Sequence, residues 1–217
     1  MYNHFNTGVM QLEGSTLTYF VTASVLLTLA PGPDILYVIT KSLSDGAKSG
    51  IVLASGLVSG IAFHTALVML GVAALISSSP TALSLLKYFG AAYLLWLALG
   101  AFRSSAQLKF GRADATQKMS ALYKRGVLMN VLNPKVLLFF LAFLPQFVSV
   151  DGGLSPSLQI ALLGLIFAAQ ALVVFSIVSM CAARLRKIIL RKKNIGAMFG
   201  KVEGAVLTLI ALGLLLS

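Results

Sequence analysis

Ala30-Pro31-Gly32-Pro33-Asp34 interrupts an apolar run from Leu17 to Thr40, and Asn130-Val131-Leu132-Asn133-Pro134-Lys135 interrupts a second from Val127 to Val148. A proline inside a helix removes one backbone hydrogen bond and clashes with the carbonyl four residues earlier. Two prolines flanking a glycine therefore open the helix outright. In hydrocarbon, the freed carbonyls are tolerated only where they are buried in protein or line a wet cavity. Proline-interrupted segments at corresponding places in two halves of a chain point to a transporter's binding site. A plain structural kink is the simpler reading of either break taken alone.

Four more apolar stretches, Ile51–Ile76, Ala82–Ala101, Leu158–Cys181 and Ala197–Leu216, are long enough to cross a hydrocarbon core, which takes about 20 residues per helix. Of the 217 residues, 58% are hydrophobic and 11% charged, and the mean hydropathy is +0.93. Barrel strands alternate apolar with polar residues, and these runs do not. The expected fold is an all-α integral membrane protein, a six-helix bundle with proline-broken helices 1 and 4.

The one sizeable polar connection, residues 102–126, splits the six spans three and three. It separates an outer tail (1–16) and a first transmembrane repeat (17–101) from a second repeat (127–217), itself acting as a basic cytoplasmic linker. With three spans per half, the second half enters from the opposite side, giving two inverted three-helix repeats of the kind used for alternating access. The match is imperfect, because Pro33 falls past the middle of its span and Pro134 before the middle of its own.

The net charge of +11 invites a nucleic-acid reading, but the placement of the charges argues against one. Fifteen Lys and Arg lie in or beside alternate connections, after the first, third and fifth spans. The tail, the Ser77–Thr81 turn and the Ser149–Ser157 loop hold none. This is a positive-inside pattern and sets both termini outside the cytoplasm, with some of the charge available to anionic lipid. The N-terminal region lacks a basic n-region and a clear cleavage site, so the first span is read as retained, with Met10 an alternative start. The single cysteine, Cys181, excludes an internal disulfide and a multi-cysteine metal site; it is read as filling space.

Asp34 and Lys135 are the charges well inside the spans, each costing at least about 2.5–3.5 kcal/mol to bury alone. Asp34 begins a half-helix, where the dipole favours an anion, whereas Lys135 is set against the dipole of its own. Two readings follow: a mutual ion pair joining the halves, or a site in which Lys135 receives a substrate carboxylate while Asp34 meets its ammonium or carries a proton. His64 is either a hydrogen-bonded core imidazole or a proton relay. Asn130 and Asn133 can bridge backbone groups freed by Pro134, and Gln170 is read as an isolated polar site. Lys201 and Glu203 are expected to pair or to reach the interface. Lys87 is expected to snorkel, with Tyr88, Tyr93 and Trp96 as packing or interface residues. Gly56-x-x-x-Gly60 and Gly196-x-x-x-Gly200-x-x-x-Gly204 suit close helix packing within one chain or a homodimer face.

In these motifs the chain resembles the lysine exporter (LysE/RhtB) superfamily, most of all its homoserine/threonine- and leucine-exporter branch. The residues that carry the likeness are Leu29 to Asp34 and Asn133-Pro134-Lys135, with support from Lys87 to Leu97 and from Phe143-Leu144-Pro145-Gln146-Phe147. The resemblance implies an antiporter-type exporter of amino acids or close derivatives in the bacterial inner membrane, driven by protons. Position 34 is often Asn in that family and is Asp here, so the family itself gives no warrant for an essential carboxylate.

The expected binding residues are Pro31, Gly32, Pro33, Asp34, Asn130, Asn133, Pro134 and Lys135, with Asp34 and His64 as proton-coupling candidates. The reading calls for no cofactor, metal or catalytic residues. Its partners are an amino acid, protons and the bilayer. The rival readings are a lipid-modifying enzyme, a membrane scaffold and a cation exporter. They lack, in turn, a catalytic cluster, a reason to bury two charges, and soft ligands.

Overall fold

The computed structural model describes residues 14–78, 80–103, 117–149, 153–186 and 195–216. The outer tail, Met10, most of the basic linker and the centre of the last basic connection lie outside the described residues.

Proline and glycine set the helix boundaries. Helix α1 (Gly14–Leu29) stops before Pro31, and α2 (Pro33–Asp45) restarts with proline at its first turn, where a missing N–H costs nothing. Gly46, at φ +88°, makes the corner into α3 (Ala47–Ser78); this left-handed conformation suits glycine alone. Helix α4 (Pro80–Arg103) is followed by α5 (Met119–Val131) and then by α6 (Pro134–Leu138), again begun by proline. A π turn (Phe139–Phe143) and a 3₁₀ turn (Leu144–Phe147) prolong α6. The π turn has a local cause. Pro145 cannot donate to the Leu141 carbonyl and its ring crowds it, and the preceding Leu144 N–H reaches back five residues to Phe139. Helices α7 (Pro156–Arg184) and α8 (Ile195–Leu216) complete the chain.

Helices α3, α4, α7 and α8 each contain a stretch long and apolar enough to span a membrane. The α1–α2 pair bends by 57° at its break and the pair from α5 to Phe147 bends by 48°, each counting as one broken span. With each bent pair taken as one span, the six candidate spans fall where the hydropathy predicts. Neighbour relations have an internal symmetry: α3 packs on α7 and α4 on α8, while the first broken span leans on α7 and the second on α3.

In lipid, helix association depends on close packing rather than on expulsion of water. Glycines supply that closeness inside the chain. A Cβ at Gly56 would meet the Tyr123 carbonyl, and one at Gly126 the Leu53 carbonyl, so α3 and α5 touch backbone to backbone. Gly60 packs against the Asn130 side chain and Gly204 against the Phe102 ring. The small-residue stripes are thus occupied within the chain at these positions. Tyr88 and Trp96 are exposed on α4, and Trp96 lies 5.3 Å from the Tyr93 ring. Cys181 does not fill space as expected: it is exposed on the last turns of α7.

A methyl group at the α3–α5 contact has nowhere to go. Gly126→Ala is expected to destabilise the protein by about 1–3 kcal/mol, read as an earlier thermal transition in detergent. Gly71→Ala, facing open space, should leave that transition unchanged.

Candidate functional site

The two bends meet, and the polar side chains at the breaks bond to one another across the meeting point. Asn133 caps α6, its side-chain oxygen accepting from the Lys135 N–H at 3.0 Å. The amide nitrogen of the same side chain donates to Asp34 Oδ2 at 2.8 Å. One residue therefore closes the start of α6 and grips the first turn of α2. Asn130 also faces the Asp34 carboxylate, yet Asp34 Oδ1 is buried without a hydrogen bond of good geometry.

Lys135 pays for its unfavourable place at the start of α6 with contacts across the break. Its Nζ donates to the Ala30 carbonyl at 3.0 Å. In an unbroken helix that carbonyl would accept from the N–H of residue 34, and at a helix C-terminus it attracts a cation. Nζ also lies 3.6 Å from Glu203 Oε1 on α8. The direct Asp34–Lys135 pair weighed from the sequence is replaced by two separate partnerships, Asp34 with Asn133 and Lys135 with Glu203. Gly32 lies beside the second of these, since a Cβ there would come within 3.1 Å of Glu203 Oε1 and 3.2 Å of Lys135 Nζ.

Glu203 is the site residue that sequence reading missed. Its pairing with Lys201 was excluded in advance by geometry, because residues two apart on a helix do not face each other. An acid inside an apolar helix, in a chain that also buries a lysine, was the available signal.

His64 has a backbone partner. Pro134 has no N–H to give the Asn130 carbonyl four residues back. His64 Nε2 approaches that carbonyl at 2.9 Å, and the Asn133 N–H also reaches it at 2.9 Å. A carbonyl only accepts, so Nε2 carries the proton in this bond. The ring is fully buried beside Phe63 and Phe140. Gln170, expected to be isolated, instead ties α7 to α1 by donating to Thr28 Oγ1 at 3.0 Å and approaching the Ser24 carbonyl at 3.4 Å.

Gly32, Asp34, Asn130, Asn133 and Lys135 line one cavity together with the Ala30 segment. Pro31, Pro33 and Pro134 make the breaks without lining it, and His64 stands behind Asn130. The centre of a water molecule has about 30 Å³ to move in. One water needs roughly 10–15 Å³ by that measure, so the cavity has room for a few waters. Beyond it, Phe139 stacks on Phe143 at 4.6 Å, Phe143 meets Phe147 at 4.9 Å, and Phe20 of α1 meets Phe147 at 5.1 Å. Toward the other end of α2, Arg125 of α5 lies 4.4 Å over the Tyr37 ring. Among the described residues, no three His, Cys, Asp or Glu side chains come together to hold a metal ion.

Residues 25–217, which contain both breaks and every residue lining the cavity, match the LysE type translocator family. The chain belongs to that family. It is 35% identical over 191 residues to an uncharacterized membrane protein of Vibrio cholerae, covering 88% of this chain and 91% of the relative. It is 34% identical over 129 residues to the homoserine/homoserine lactone efflux protein of Salmonella typhimurium, covering 59% of this chain and 63% of that protein. It is 36% identical over 136 residues to the leucine efflux protein of Klebsiella pneumoniae, covering 62% of this chain and 64% of that protein. The matches thus span less than two thirds of either efflux protein. No solved structure matches the chain. The molecule is a multi-pass membrane protein of a translocator family, with its polar site at the junction of two broken spans.

The double duty of Asn133 can be separated by substitution. Asn133→Ala removes a cap, worth about 0.5–2 kcal/mol, and a bond to a charged group, worth about 1.5–3 kcal/mol. Asn133→Ser keeps an N-cap oxygen and loses only the bridge to Asp34. Thermal melts in detergent should rank wild type above the serine variant and the serine variant above alanine.

Proposed function

We propose that this translocator exports a zwitterionic neutral amino acid, or a close derivative, from the cytoplasm across the bacterial inner membrane. It works by alternating access driven by the proton gradient. The observation that carries the reading is the small cavity at the junction of the breaks, with an ammonium and a carboxylate among its lining groups. Lysine has three donors, and Lys135 directs one at Ala30 and one side at Glu203, which leaves capacity for a substrate carboxylate. Asp34 has an unused buried oxygen suited to a substrate ammonium. The names of the two efflux relatives agree with an amino-acid cargo.

The basic connections orient the molecule with both termini outside. On that orientation the phenylalanine cluster seals the outer end, and the Tyr37–Arg125 contact lies toward the cytoplasm. Two inverted repeats, 17–101 and 127–217, would rock about the site, in keeping with the exchange symmetry of the helix contacts. The coupling logic rests on Asp34. Substrate ammonium and proton compete for one carboxylate, so the carrier moves outward with substrate and returns with a proton. His64, committed to the Asn130 carbonyl, holds the second break in shape.

In proteoliposomes, efflux of a labelled amino-acid panel is expected to be selective for neutral amino acids and to collapse with a protonophore. Lys135→Gln should lower transport at least about 30-fold, the scale of losing one partner of a buried charge contact. Asp34→Asn should keep exchange of labelled for unlabelled substrate, at weaker affinity, while losing proton-driven net efflux. Unchanged transport by both folded variants would sink the site assignment. Absence of any amino-acid transport by the wild type would sink the cargo.

A further inference from the structure

The wall of the cavity opposite the breaks has different chemistry. Helix α7 contributes Phe167, Ala171 and Phe175, four residues apart and therefore on one stripe. They are only 3%, 1% and 6% exposed. Two rings flank one methyl group, so the stripe carries a notch at Ala171. Phe167 is fixed by Phe139 at 5.6 Å and Phe140 at 5.0 Å. The neighbouring Gln170 bonds to Thr28 of α1, which lines the same cavity. Ile61 of α3 lines the same cavity. Its charged lining residues, Asp34 and Lys135, both belong to the breaks.

We infer that Ala171 is a specificity-determining residue, its notch receiving the substrate side chain and setting the longest aliphatic chain carried. The inference rests on the amino-acid export reading and adds to it the part of the site that reads the side chain. A substrate held at the breaks by its carboxylate and ammonium projects its side chain from Cα toward α7. A charged side chain would arrive between phenylalanines with no partner, and burying an unpaired charge is prohibitive. An aliphatic one fits until the notch is full. In a hydrophobic pocket one methylene changes discrimination by about 10–200-fold, so the residue that sets the depth of the notch sets the preference.

The test compares kcat/KM for labelled leucine and labelled alanine in proteoliposomes of wild type, Ala171→Val and Ala171→Leu. Filling the notch should lower the leucine-to-alanine ratio of kcat/KM by about tenfold or more, with the valine variant intermediate. If the leucine variant does not fold, the valine variant alone must move the ratio in the same direction. An unchanged ratio, or an equal fall for both amino acids in folded protein, overturns the assignment of Ala171 while export stands. A wild type that carries neither amino acid, nor any other in the panel, overturns the export reading itself.

Discussion

The amide of Asn133 is the interaction on which the centre of this molecule depends. A membrane interior offers no water to satisfy a broken helix, so each break must find its partners in the protein. Asn133 does this at both breaks at once, its oxygen on the Lys135 N–H and its nitrogen on the Asp34 carboxylate. Other polar side chains fit an aspartate or a helix cap, but few supply an acceptor and a donor from one planar group. The two bends, of 57° and 48°, are thereby tied to each other beside the cavity.

At each break a carbonyl is met by a side chain from the other half. Ala30, in the first three spans, is met by Lys135 from the last three, and Asn130, in the last three, is met by His64 from the first three. Each half thus gives a donor to a carbonyl of the other, the Asn130 carbonyl keeping the Asn133 N–H as well. The caps differ in charge: the first is a cation that also holds Glu203, the second an imidazole among aromatic rings.

Much of this was legible in the sequence, and the part that was not has a common cause. Pro31, Pro33 and Pro134 act on their own backbone, so their effect can be read locally. Asp34 and Lys135 stand out because a charge in an apolar run needs an explanation wherever it points. Their partners could not be read the same way. The Asn133–Asp34 bond joins residues 99 apart, the Lys135–Ala30 bond residues 105 apart and the His64–Asn130 bond residues 66 apart. Which side chain meets which is set by the crossing of α3 and α5 at Gly56 and Gly126 and by the two bends. Glu203 lies on a helix whose apolar pattern says nothing about the direction of its acid, and Cys181 is exposed because a helix end in a small bundle has too few neighbours to cover it.

The π turn at Phe139–Phe143 fits one more residue into its loop than an α-helical turn does. Its closing donor, the Leu144 N–H, bonds to Phe139, whereas in α register it would bond to Phe140. Exchanging one acceptor for its neighbour would rotate everything beyond by about 100°. That rotation would carry Phe143 and Phe147 out of their contacts with Phe139 and Phe20. The register that Pro145 imposes on this one turn is therefore what keeps the aromatic cluster together.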